Sequence, residues 1–219
     1  MIPKKSAMNP QFLQQEAIRL GATDSKVINA KDIPIEDAIV EMCRPPACDS
    51  YGTCANCPPF VMTPKEARIW ISHFDKGIFF KIDLEPELLF SERQFRPFER
   101  IFRIASQLEQ RSKELGWKHS WTLAAGSCKP VFCPDAPCEA LIDGGKCRFP
   151  DLARPSMEAI GINVFRLAGK VGWSIHRITR AANPKQIPSA MLAGIVLICT
   201  GNNLNDPQRQ IFEKVKQNK

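Results

Sequence analysis

A chain of 219 residues, 44% hydrophobic and 24% charged, is long enough to bury one large core and too apolar to remain disordered. Its net charge of +7 comes from bases interspersed with acids, without a block of about five or six cations, so nucleic acid is not a favoured partner. No run of about 18 apolar residues could span a membrane, and the first eleven residues, MIPKKSAMNPQ, have no apolar segment that could act as a signal sequence, so the cytoplasm is the expected location.

In chain order, Phe12, Leu13, Ala17 and Leu20 recur at helical spacing over residues 11–20, and Gly21 is placed to end that helix. A short extended piece is expected over 26–30. Pro34 at a first helical position then opens a second helix, with Ile35, Ala38, Ile39 and Met42 on one face. Thr63, Pro64 and Glu66 spell a capping box with proline in the first turn, followed by Ala67, Trp70, Ile71 and Phe74 at helical intervals. Gly77 is expected to end that helix, and GIFFKIDL reads as a buried strand.

The longest helical pattern runs over 91–115, with Phe95, Phe98, Phe102, Ala105 and Leu108 in a stripe that Ile101 and Ile104 broaden. Pro97 marks either its first turn or a kink. HSWTLAAGS reads as a strand leading to Cys128, PSMEAI as a short helix opened by Pro155 and closed by Gly161, and INVFRL as a further strand. WSIHRI carries no assignable pattern, MLAGIVLIC is an apolar strand, and DPQRQIFEKVKQNK is expected to form a terminal helix. The order points to one α/β domain over 1–219, with α+β as the variant: a single mixed sheet between helices, with cysteine loops at 43–60 and 126–155 gathered at one end.

Eight of the nine cysteines fall in those loops: Cys43, Cys48, Cys54 and Cys57 in the first, and Cys128, Cys133, Cys138 and Cys147 in the second. Cys199, in an apolar strand, reads as core. Clustered thiols in a reducing compartment are metal ligands or redox groups more often than disulfides. Four thiolates suit tetrahedral zinc or an iron-sulfur cluster. The second group is spaced by four, four and eight residues and the first by four, five and two, so only Cys54 and Cys57 form the paired turn usual for structural zinc. Prolines follow Cys57 and Cys133, and the wide spacing favours iron-sulfur, with zinc as the alternative.

Arg44, Lys129, Lys146, Arg148 and Arg154 lie beside the cysteines, where cations stabilise thiolates and raise the potential of a redox centre. Arg44, Tyr51, Arg148 and Arg154 are therefore the candidate cofactor-contacting residues. Ser156 reads as a first-turn residue of the short helix and Glu158 as an acid complementing its dipole. His73, His119 and His176 share no ligand spacing. No P-loop, dinucleotide fingerprint or nucleophile elbow is present, which sets aside hydrolytic and nucleotide-dependent chemistry.

CRPPACDSYG, CPPF, AAGSC with three further cysteines, KCRFP and RPSMEAIGINV together resemble a family of predicted metal-binding proteins, catalogued as domain of unknown function 2284 and frequent in anaerobic bacteria and methanogenic archaea. The resemblance runs from the first cysteine loop to the last strand. It implies that Cys43, Cys48, Cys57, Cys128, Cys133, Cys138 and Cys147 are the recurrent positions, with Cys54 outside the common pattern, and implies no established reaction. Three readings follow: two [4Fe-4S] clusters serving electron transfer with a redox partner protein, a zinc-stabilised binding module, or a cluster-dependent enzyme with an open iron site at the first group.

Overall fold

The computed structural model describes residues 9–179 and 181–199. The terminal helix expected from DPQRQIFEKVKQNK lies outside them. Four strands, β1 (Asp24–Asn29), β2 (Lys76–Leu84), β3 (Trp121–Leu123) and β4 (Ala190–Ile198), form one sheet in the order β1-β2-β4-β3. The long pair β2 and β4 occupies the centre, registered from Lys76 opposite Ile198 to Leu84 opposite Ala190.

Helices cover both faces. Ile78, Phe80 and Ile82 of β2 point toward α1 (Pro10–Arg19) and α4 (Phe95–Glu114), whose Leu13, Ala17, Ile101, Phe102, Ala105 and Leu108 form one core cluster. Phe79 points the other way, to Trp70 and Ile71 of α3 (Pro64–Ile71), to Phe74 just after it, and to Leu167 and Ala168 of α6 (Val164–Lys170). This double burial explains why β2 and β4 read as continuous apolar runs rather than alternating ones.

All three strand pairings are antiparallel, where a mixed sheet was the sequence expectation. The mixed reading came from strands alternating with helices in the chain. The one parallel element among the described residues is an isolated bridge between Ala124 and Ser156.

Local signals decide several elements. Thr63 caps α3 through the Glu66 backbone N–H, and the Glu66 carboxylate accepts from the Thr63 N–H, so the capping box is complete. Pro97 sits in the first turn of α4, where its missing N–H breaks no helical bond.

Other expectations are corrected. Gly77 lies inside β2 and does not end α3; a Cβ there would stand 2.7 Å from Ile195 Cδ1, so close side-chain packing selects glycine. The helix expected from Pro34 begins later, as the five-residue α2 (Asp37–Glu41). Before it, the Pro34 carbonyl accepts from Asn163 N–H and Ile35 bridges Ile162, which hold that stretch extended.

INVFRL is not a strand. Asn163 accepts from Arg166 N–H and caps α6, while Leu167 and Ala168 bury against the core, overriding the local β-propensity of the segment. PSMEAI shrinks to a 3-10 turn at Glu158–Ile160, because the Pro155 carbonyl and Ser156 pair with Ala124. The second cysteine loop also contains a helix, α5 (Cys128–Phe132), capped by Ser127.

Candidate metal centre

The two cysteine loops meet on the α1/α4 side of the sheet. Cys54, Cys57 and Cys128 belong to the same core cluster as Phe102 and Val196, and Cys138, Cys147, Phe132 and Phe149 pack against it. Two features bring the second loop there. Gly126 adopts φ +69°, and a Cβ on it would meet the Phe98 ring at 2.7 Å, so only glycine lets the chain cross α4 this closely. Phe132 then packs edge-on to Phe102 at 5.3 Å and stacks on Phe149 at 5.3 Å.

The loop's exit is fixed by charge. Arg154 donates from Nε to Glu109 of α4 at 2.9 Å, both side chains almost fully buried, and from Nη1 to the carbonyls of Pro150 and Ala153. Lys113 also pairs with Glu109, at 2.5 Å. Ser106 of α4 donates to the Asp151 carbonyl. The guanidinium of Arg154, a candidate cofactor contact, is engaged by Glu109 and these carbonyls; burial pushes the Cys147 thiol up, and the Arg154 charge opposes that rise.

Where the loops touch, Cys128 Sγ lies 3.9 Å from Cys54 Sγ and Cys57 Sγ lies 3.4 Å from Ser127 Oγ. Asn56 Nδ2 donates to Cys128 Sγ at 3.5 Å. Hydrogen bonds from Cys128, then Cys57, favour the thiolate of Cys54 and move its pKa down. Their loss on ionisation, together with burial, pushes the Cys57 and Cys128 thiols up. Each of the three thus opposes ionisation of its neighbours, since a low-dielectric site resists a second negative charge.

Cys54, Cys128, Cys133, Cys138 and Cys147 line one cavity of about 30 Å³, together with Asn56, Lys129 and Arg148. Arg148 is drawn to Glu139, with Nε 2.6 Å from the carboxylate, and Lys129 donates to the carbonyls of Cys133 and Pro134. The remaining first-loop thiols are arranged differently. Cys43 is pushed up to about 11, first by burial and then by the charges of Cys48 and Glu158, and Cys48 also acts on Cys57.

Arg44 and Tyr51 line a separate groove of about 210 Å³ with Val40, Pro58 and Ala159, and Arg44 pairs with Glu41 at 2.6 Å. Cys199 is partly buried against the other core cluster, in keeping with a packing role. Among the described residues, no three His, Cys, Asp or Glu side chains already converge in the geometry of a bound ion.

The family described as predicted metal-binding protein (DUF2284) matches residues 26–198. The chain belongs to that family. No curated protein and no solved structure matches it. The donor set of this DUF2284 protein fits a thiophilic metal: eight thiols lie on two facing loops, and a cation would stabilise the charged form of those, Cys43, Cys57, Cys128 and Cys147, whose ionisation burial opposes.

Sequence reasoning found the cysteines and both loops, but missed Ser127 and Asn56. Each is adjacent or nearly adjacent to a cysteine and carries a side-chain hydrogen-bonding group, which was the available signal.

Proposed function

We propose that this metal-binding protein carries two iron-sulfur clusters of the [4Fe-4S] type, one on each cysteine loop, and passes electrons to or from a redox partner protein in the cytoplasm. The observation that supports the reading is the meeting of the two cysteine loops, with Cys54 Sγ 3.9 Å from Cys128 Sγ, which gathers thiols of both groups in one region of the fold. A bound cluster supplies one-electron transfer.

The chain's own residues do the rest. The cysteines would hold the group as thiolates, the Asn56 amide donates to the Cys128 sulfur, and Lys129 adds positive charge at the cavity wall, where Arg148 is paired with Glu139. Donors and cations around sulfur raise a reduction potential by favouring the added electron. Phe132, Phe149 and Ala153 give the cavity apolar walls beside the sulfurs, and the reducing cytoplasm keeps free thiols available for loading.

A second reading is zinc held structurally. Tetrahedral zinc places sulfurs about 3.8 Å apart, close to the Cys54–Cys128 spacing, and a cavity of about 30 Å³ holds one ion without opening. Anaerobic purification with metal and acid-labile sulfide analysis separates the two. About eight iron and eight sulfide per chain is the expected result, whereas about two zinc without sulfide overturns electron transfer.

A further inference from the structure

The two cysteine loops exchange hydrogen-bonding side chains where they meet. Asn56, between Cys54 and Cys57 in the first loop, donates from Nδ2 to Cys128 Sγ of the second at 3.5 Å. In the other direction Ser127, the residue before Cys128, places its Oγ 3.4 Å from Cys57 Sγ and 3.7 Å from Cys54 Sγ. These contacts join positions 70 or more residues apart in the chain.

Ser127 already has one task. Its Oγ accepts from the Lys129 N–H at 3.2 Å and so caps α5, the helix that begins with Cys128. Capping uses a lone pair and leaves the hydroxyl proton to be placed. In the metal-free chain the Cys57 thiol donates to the same oxygen. A sulfur that ligates a metal has lost its proton and can only accept, so the bond survives metal binding only by reversing, with the hydroxyl as donor.

The surroundings favour that reversal. Cys57 is 7% exposed and Cys54 1%, so a ligating sulfur here has little water to turn to, and a buried acceptor without a donor is costly. The oxygen is also held in place from both sides of the chain: Gly126, at φ +69°, turns beneath the Phe98 ring just before it, and the Lys129 N–H fixes it from α5.

We propose that Ser127 is a positioning residue of the first-loop metal centre, its hydroxyl donating across the loop junction to the Cys57 sulfur when that sulfur ligates metal. Asn56 does the same for Cys128 from the opposite side, so each loop supplies a donor to the other's sulfur. A donor to a thiolate withdraws electron density from it and stabilises its charge. The assignment rests on the reading that the first loop holds metal, with Cys57 among its ligands.

The test uses the reduced, metal-free full chain in a Cys138→Ser, Cys147→Ser background, so that the first centre is reported, titrated anaerobically with Co²⁺ alone. The energy of the sulfur-to-cobalt band reads electron density on the ligating sulfur, and competition with a chelator gives affinity. Ser127→Ala and Ser127→Gly are expected to move the band to lower energy by equal amounts and to weaken Co²⁺ binding on the order of 10-fold. Ser127→Thr, which keeps the hydroxyl, should hold the band at the parent's energy. Glycine separates the two tasks of the residue, because at a helix cap it replaces serine with little loss while alanine does not.

A band that stays at the parent's energy in both Ser127→Ala and Ser127→Gly overturns the proposal whatever happens to affinity, since a cap alone would then account for the residue. A shift in Ser127→Ala that Ser127→Gly does not share assigns the effect to helix capping and also overturns it. Absence of the band in the parent, or a band that Cys57→Ser leaves unchanged, fails the reading that the first loop holds metal through Cys57 and the assignment with it, a result seen without altering Ser127.

Discussion

The two cysteine loops differ in what holds them. The second crosses α4 at Gly126, packs Phe132 on Phe102, and returns through the buried Arg154–Glu109 pair and the Ser106–Asp151 bond, so one long helix fixes it at several points. The first hangs between the five-residue α2 and the N-terminus of α3, and its ion pairs, Arg44–Glu41 and Arg68–Asp37, lie at the surface. One loop is shaped before metal arrives. The other is expected to gain more of its order from bound metal, because exposed ion pairs contribute little.

The largest effect should come from removing the anchor of the shaped loop. Arg154→Ala removes a buried charged partner of Glu109, and breaking a buried pair costs about 3–5 kcal/mol. Urea unfolding of the metal-free chain measures it. A loss below about 1 kcal/mol would mean that the second loop is not held by this pair, and the contrast between loops would collapse.

How much of this was legible follows from where each signal lies. The capping box at Thr63 and the apolar runs of β2 and β4 are local, and they specify their elements without help from the rest of the chain. INVFRL misleads because isoleucine, valine and phenylalanine favour strands, while the burial of Leu167 and the Asn163 cap that make it helical depend on tertiary packing. Gly77 looked like a helix stop because the Ile195 methyl that demands it lies across the sheet.

The site divides in the same way. Eight cysteines in two groups are visible from spacing, but the Cys54–Cys128 contact spans 74 residues and has no local signature. Arg154 was noticed for its charge near cysteines; its partner Glu109 sits 45 residues away on a helix read only for its apolar stripe.

A smaller effect tests the first loop's other support. Thr63→Ala removes the acceptor for the Glu66 N–H and should cost about 1 kcal/mol, measured by the same urea titration. Because α3 follows the loop directly, this loss should come with weaker metal retention at the first centre and unchanged retention at the second. Equal weakening at both would show that the loops share their support.

The smallest effect is expected from pH, and it concerns Cys43 in the metal-free chain. Its thiol is raised from 9.0 to about 11 in the fold, so the folded state holds its proton more tightly than the unfolded one. The associated stability is fully present below pH 9 and disappears as pH rises toward 11. Cys43 is only half-buried, so solvent screening keeps the contribution below that of the Thr63 cap. Comparing Cys43→Ser with the parent isolates it: the parent's thermal midpoint should fall more steeply between pH 9 and 11. Parallel curves would mean that the Cys43 thiol is as free in the fold as in the unfolded chain. Metal should flatten the parent's slope, since a ligated thiolate has already lost its proton, so the same two curves recorded with and without metal report whether Cys43 is a ligand.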